Sequence, residues 1–196
     1  MEFLYHFKAE KFKGDSILPL SRLKRKYPKL YQKEIEKYGK DRIQELEEEI
    51  KCLDVKWKDV VNLSTINPVH ILSVAQLLGN ETDPAEIFKI PISSIKKHRF
   101  CLFTDFNDKE KFKPLTVNQY EEEKEIPIET IEHFIYSKEH GTRPLIFEHI
   151  PHILVAGEVN ISKAEVIKYD PENLFSLAQN YHEAIIRNSS FAITNR

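Results

Sequence analysis

The chain has 196 residues, 41% of them apolar and 31% charged, with 5 glycines, a balance that excludes a disordered or fibrous polymer and predicts a folded globular chain. Its 29 basic and 31 acidic residues leave a formal charge of −2. That excludes a global polyelectrolyte attraction to DNA or RNA, so any nucleic-acid contact would be local. No apolar run approaches the roughly 20 residues that cross a bilayer, and no secretory apolar region follows Met1. The expected setting is therefore the cytoplasm, with no membrane partner, although a host-delivered effector carries the same signature. Cys52 and Cys101 lie far apart without a pairing pattern and are expected as reduced thiols.

In chain order, residues 2–7 alternate as a short strand that carries His6, and Gly14-Asp15-Ser16 turns the chain. From Leu20, with Ser21 as a cap, the residues Leu23, Tyr27, Leu30, Tyr31, Ile35 and Tyr38 recur at near-helical spacing. Pro28 interrupts the stripe, which predicts two short helices or a kinked one ending at Gly39. Residues 40–51, with Glu45, Glu47, Glu48 and Glu49, predict an exposed helix or insertion whose charges are solvated. Residues 57–63 predict a strand. Asn67 then caps a helix with Pro68 at its first position, ending at Leu78 before Gly79, with Val69, Leu72, Leu77 and Leu78 toward the core.

Residues 87–92 and 99–103 predict strands, and 107–113 a polar loop. A helix over 128–138 would bury Ile128, Ile131 and Ile135. Further strands are predicted over 144–147, 153–159 and 164–168. The chain closes on a helix capped by Asp170, with Pro171 next and Leu174, Leu177, Ala178, Tyr181 and Ile185 on one stripe. Helices scattered among strands without regular alternation predict an α+β fold, a mixed β-sheet flanked by helices, in a single domain over 1–196 with a charged helical insertion at 20–52.

Candidate chemistry concentrates at a few places. On a continuous strand over 155–161, Val155, Gly157, Val159 and Ile161 share one face and Glu158 lies on the other, toward solvent or a cleft. Gly157 beside it permits a bulge or the close approach of a ligand. His6 sits between Tyr5 and Phe7, where an imidazole can bond a ribose hydroxyl or simply its own backbone. Ser64, Thr65 and Asn67 join a strand end to a helix start, a place that suits anionic or polar ligands, while capping explains Asn67 equally well. His133, His140, His149 and His152 fall close together, but Pro151 opposes a helix that would converge them, and zinc needs three or four ligands. Lys24, Arg25, Lys26, Lys29 and Lys33, interleaved with Tyr27 and Tyr31, form a basic patch suited to phosphate or to plain solvation. Arg143 beside Gly141 is a further loop cation. Cys101, inside an apolar strand, predicts core filling.

A first strand with Tyr-His-Phe, a middle strand ending in Asn-Leu-Ser-Thr, and a late strand with Glu158 in AGEVNI together resemble the layout of ADP-ribosyltransferase-like folds. The resemblance is to the His-containing branch, which includes DNA-targeting toxins and RNA 2′-phosphotransferases. It implies NAD held in the cleft of a split mixed sheet. His6 would contact the ribose, with Tyr5 beside it, and Ser64 or Thr65 would take the second-strand role, with Asn67 adjoining. Glu158 would be the catalytic carboxylate that polarises the ribose 2′-hydroxyl. The chain lacks the family's Ser-Thr-Ser and Arg-rich loop, so the acceptor, protein or nucleic acid, is undefined. Two other readings stand beside it. One is a non-catalytic interaction protein docking through the 24–38 helix and the acidic 45–49 segment. The other is a metal-dependent hydrolase built on the 133–152 histidines.

Overall fold

The computed structural model describes residues 2–36, 38–39, 43–104, 111–121 and 125–173. Its centre is a seven-stranded sheet formed by β1 (Phe3–Phe7), β5 (Val60–Ser64), β6 (Ala85–Pro91), β7 (Phe100–Phe103), β8 (Phe112–Pro114), β9 (His152–Ala156) and β11 (Glu165–Tyr169), in the spatial order β11-β6-β1-β5-β9-β7-β8. Two small ribbons accompany it, β2 (Ser16–Ile17) with β10 (Val159–Asn160), and β3 (Glu49–Ile50) with β4 (Val55–Lys56). The helices are α1 (Leu20–Lys26), α2 (Pro28–Glu36), α3 (Pro68–Leu77) and α4 (Ile128–Glu139). The expected α+β class is what forms. Every pairing among the described strands is antiparallel, so the parallel component of a mixed sheet is not among them.

Residues directly opposite on antiparallel strands share a face. One face carries Leu4, Val61, Leu63, Phe88, Ile90, Ile153 and Val155 into a continuous core with Ile17, Ile95, Val159 and Ile161. The other face divides. At one end Val60, Cys101, Phe103 and Leu154 pack against Leu46, Ile50, Leu53 and Trp57. At the other end Tyr5, Ile87 and Tyr169 meet Leu72 of α3, which itself packs with α4 through Ile71, Val74, Ala75 and Phe134. Each large side chain buried in this way stabilises the fold by about 1.5–3 kcal/mol. Between the two ends of that face lies the site.

Local chemistry sets most element boundaries. Asn67 Oδ1 accepts from the Val69 N–H at 3.0 Å with Pro68 at the first helical position, so α3 starts where the sequence predicts. Tyr27 and Pro28 separate α1 from α2 as expected, because proline disfavours helical geometry in the residue before it. The cap differs: Pro19 precedes α1 without a side-chain bond, and Ser21 lies within the helix. Residues 43–47 form a single 3₁₀ turn, and Leu46 and Ile50 are buried, which makes this stretch an anchored cover rather than a solvated helix. Trp57 to Asp59 is likewise a 3₁₀ turn, with β5 starting at Val60.

Four further expectations change. On α4 the buried row is Thr130, Phe134 and Ser137, while Ile128 and Ile135 are 48% and 41% exposed. Thr130 is drawn inward because its hydroxyl donates to the Glu148 carbonyl at 2.8 Å, which turns the helix about its axis relative to the isoleucine stripe. Leu77, expected in the core, is 41% exposed at the end of α3. The continuous strand over 155–161 breaks: β9 ends at Ala156, Gly157 adopts φ 86°, and β10 resumes at Val159. Residues 144–147 form turns closed by Glu148 N–H to Leu145 O and Ile150 N–H to Phe147 O rather than a strand. Of the terminal helix, Asp170 accepts from the Glu172 N–H at 3.0 Å as a cap should, and the stripe from Leu174 to Ile185 lies outside the described residues.

Candidate functional site: a cleft where the sheet splits

β1 and β5 pair at one register position, Tyr5 opposite Ser64, whereas each pairs at five positions with its other neighbour. Beyond Tyr5 the ladder between them is not continued, and the sheet is split at this seam. A cleft of about 610 Å³ opens there, within the size range of small-molecule sites.

The wall of the cleft follows from register. Tyr5, Ser64, His152 and Phe103 stand opposite one another in turn across β1, β5, β9 and β7, a row that sets a hydroxyl and an imidazole between two aromatic rings. Asn62 and Val60 follow Ser64 along the same face of β5. All six line the cleft. His6 has the opposite parity on β1, next to Phe88, and it reaches the cleft because the seam is open to both faces. Its Nδ1–H donates to the Phe7 carbonyl at 2.6 Å, which fixes the tautomer.

The turn before β9 delivers His152. His149 there takes φ 60°, a left-handed conformation uncommon outside glycine, and Phe147 and Glu148 of the same turn line the cleft. His152 is partly exposed and lines the cleft. Burial pulls its imidazole well below the usual histidine range, to about 4; the Ile150 backbone opposes the shift and His6 adds to it. His152 is a neutral imidazole at physiological pH. Beside it, Asn62 Oδ1 is buried and finds no hydrogen-bond partner among the described residues, a condition that costs about 1–3 kcal/mol and that a donor on a ligand would relieve.

Over the mouth lie α1 and α2. Leu20, Leu23, Leu30 and Tyr38 face the cleft, yet neither helix contains a fully buried residue. Tyr38 is held by the Trp57 indole N–H, which donates to its hydroxyl at 3.2 Å. Arg22 of α1 reaches Glu158 at 2.6 Å, with both side chains about half exposed. Glu158 does not line the cleft. It borders a neighbouring surface depression with Arg22, Arg25 and Lys26, and Leu18 belongs to both walls.

Of the residues singled out from sequence, Tyr5, His6 and Ser64 meet at the cleft, and Glu158 lies beside it. Ser64 also serves structure, since its hydroxyl donates to Ile66 O at 2.8 Å and accepts from Ile66 N–H at 3.2 Å. Thr65 is 1% exposed and donates to Pro151 O, and Asn67 is the α3 cap; neither lines the cleft. The four late histidines do not converge. His133 Nε2 accepts from the Leu145 N–H, the His140 ring stacks on Tyr136 on the outside of α4, and only His152 of the four faces the cleft. Among the described residues no three His, Cys, Asp or Glu side chains form a group able to hold a metal. Arg143 pairs with Asp83 in an exposed contact. The acidic segment is largely neutralised within the chain, Glu47 by Lys56 and Lys58 and Glu48 by Lys111. The two lysines hold the Glu47 carboxyl well below the usual range, at about 2.

Asn62 and His152 carry the polar floor of the cleft without having been singled out for it. The signal available was parity: Asn62 and Ser64 share a face in a strand whose other residues are branched or apolar. No helix among the described residues is long and apolar enough to cross a membrane. The chain matches no protein-family model, no curated protein and no solved structure.

Proposed function

We propose that the protein binds a nucleotide-type ligand in the cleft between β1 and β5, with NAD as that ligand and ADP-ribosyl transfer to a macromolecular acceptor as its chemistry. The observation that carries the reading is the convergence of His6, Asn62, Ser64 and His152 on one aromatic-lined cleft at a sheet split, with Asn62 Oδ1 buried and without a hydrogen-bond partner among the described residues. Aromatic walls suit a planar base, and the polar floor suits ribose hydroxyls, which can donate to Asn62 Oδ1 and bond the imidazole of His152.

In this reading Glu158 is the carboxylate that polarises the ribose hydroxyl. To reach the cleft past Leu18 it must exchange its bond to Arg22 for the substrate. An exposed ion pair of this kind is worth about 0–1 kcal/mol, so the exchange is energetically accessible. Calorimetry with NAD, together with transfer assays on candidate protein and nucleic-acid acceptors, tests both halves. The native chain is expected to bind NAD. Asn62→Ala is expected to lose about tenfold in affinity, and Glu158→Gln to keep binding while losing transfer. Absence of NAD binding at millimolar ligand overturns the cofactor. Transfer that survives in Glu158→Gln overturns the catalytic role.

A second reading has its own observation. Residues 20–36 carry six basic side chains against two acidic ones, and Lys24 and Lys26 lie over the Tyr31 and Tyr27 rings. This solvent-facing basic lobe at the mouth of the cleft is a docking face for an acidic partner, whether or not the chain is catalytic. Pull-downs with a Lys24/Arg25/Lys26 charge reversal test it, and an unchanged set of captured partners counts against it.

A further inference from the structure

The depression beside the cleft is built by the β2–β10 ribbon and the helix that follows β2. Val159 pairs with Ile17 and Asn160 with Ser16, so Glu158 and Leu18, the next residue on each strand, fall beside each other in the same register. The backbone around Glu158 is pinned. Gly157 N–H donates to the Asp59 carbonyl at 3.0 Å, and Ile161 N–H to the Asp15 carbonyl at 2.7 Å. On α1, Arg22, Arg25 and Lys26 stand at i, i+3 and i+4, which puts three cations on one helix face. With Leu18 and Glu158 they line a depression of about 430 Å³. Like charges at that spacing repel one another. Glu158, the one carboxylate among these lining residues, meets Arg22, with Oε2 at 2.6 Å from Nη1 and both side chains about half exposed. Arg25 makes no ion pair among the described residues. Three positive groups thus surround a place where an oxyanion, the Glu158 carboxylate, already sits.

We propose that this depression is a phosphate-binding site, and that a phosphate group seated between Arg22 and Arg25 displaces the Glu158 carboxylate from Arg22. The planar fork of a guanidinium matches paired phosphate oxygens, and two such forks on one helix face can hold one group between them. A phosphate monoester carries about −1.5 to −2 charges at pH 7 against −1 for a carboxylate, so it neutralises more of the cluster than Glu158 does. The ion pair it must break is exposed and therefore weak. With the backbone pinned on both sides, Glu158 answers by rotating its side chain, and Leu18, which belongs to both walls, is what separates it from the cleft. The phosphate is recognised in the same way whether it is free or carried by a molecule whose other end lies in the cleft. The phosphate site stands whatever the cleft binds. Its consequence, a carboxylate freed to serve the cleft, rests on the role proposed above for Glu158. Lys24 is no part of the site: it lies over the Tyr31 ring and does not line the depression.

Titration of the isotope-labelled full chain with inorganic phosphate, against sodium chloride at matched ionic strength, tests the proposal through the amide resonances of residues 18–26 and 157–159. Both groups of resonances are expected to shift and saturate with phosphate and not with chloride. Arg25→Gln, a change at an exposed position, is expected to weaken binding by about tenfold, and Lys24→Gln to leave it within about twofold. Glu158→Gln removes the resident anion and is expected to tighten binding by up to about fivefold. Adenosine and ADP separate the two sources. A phosphate carried by the cleft ligand makes ADP bind tighter than adenosine, with the advantage lost in Arg25→Gln, whereas a site for free phosphate leaves the two alike and fills beside either. Saturation by phosphate with no binding of adenosine or ADP leaves the site standing and overturns only the nucleotide reading of the cleft. Shifts that follow ionic strength alone overturn the site, as do equal affinities in Arg25→Gln and Lys24→Gln. Resonances of 157–159 that stay fixed while those of α1 move overturn the displacement of Glu158, and so does an affinity that fails to rise in Glu158→Gln.

Discussion

The buried imidazole of His152 makes the stability of the protein depend on pH in a calculable way. Its pKa is about 4 in the folded chain, mainly through burial, against about 6.5 in an unfolded one. Between those values the unfolded state binds a proton that the folded state does not. Stability from this residue is therefore fully present above pH ~6.5, falls as the pH drops toward ~4, and changes no further below that. Each pKa unit is worth 1.36 kcal/mol, so the loss reaches at most about 3 kcal/mol, less to the extent that water enters the cleft. Replacement by Gln, which has no such titration, isolates the contribution. Urea unfolding of the native chain and His152→Gln across a pH series gives two stability curves, and the titrating groups that do not interact with His152 cancel in their difference. That difference is expected to be flat above neutrality and to move in favour of the variant by about 2–3 kcal/mol as the pH falls to 4. Parallel curves across the whole range would refute a buried neutral His152.

Two other outcomes follow from the same packing. Asn62→Leu removes an unsatisfied buried oxygen, so the free protein is expected to gain up to about 1–2 kcal/mol in thermal or chemical unfolding while ligand binding in the cleft weakens; a variant that loses stability and binds unchanged would remove Asn62 from the site. On α4, Phe134→Ala is expected to cost about 3–5 kcal/mol and Ile135→Ser less than about 0.5 kcal/mol, measured by denaturant midpoint, and a reversed ranking would restore the isoleucine stripe to the core.

The fold was most legible where a residue acts through its own backbone. Asn67-Pro68 started α3 and Pro28 separated α1 from α2, because capping and ring sterics are local and tertiary packing had no reason to overrule them. Legibility fell where the decision was between faces. Ile128, Ile131 and Ile135 make a plausible stripe on α4, yet Thr130, Phe134 and Ser137 went inside, since Phe134 had a socket among Ile66, Ile71 and Ile150 and Thr130 had a carbonyl to bond. Glu158 shows the same limit. A strand through Gly157 fixes its direction by parity, but the chain turns at φ 86° there, and direction is then set by Arg22, 136 positions away in sequence.

Composition and local pattern by themselves determined that this chain folds, that strands and helices combine in an α+β arrangement, that His6 lies on the first strand, and that Ser64 stands near a strand end where ligands lodge. Only the tertiary structure decided that β1 and β5 part after a single register position, so that His6, Asn62, Ser64 and His152 surround one cleft while Glu158 stands outside it beside Arg22. The physical reason is common to these cases. Periodicity and capping depend on neighbours within a turn or two of chain, whereas a cleft and the polar groups that line it depend on which distant strands register against one another. That registry is settled by the packing of the whole core.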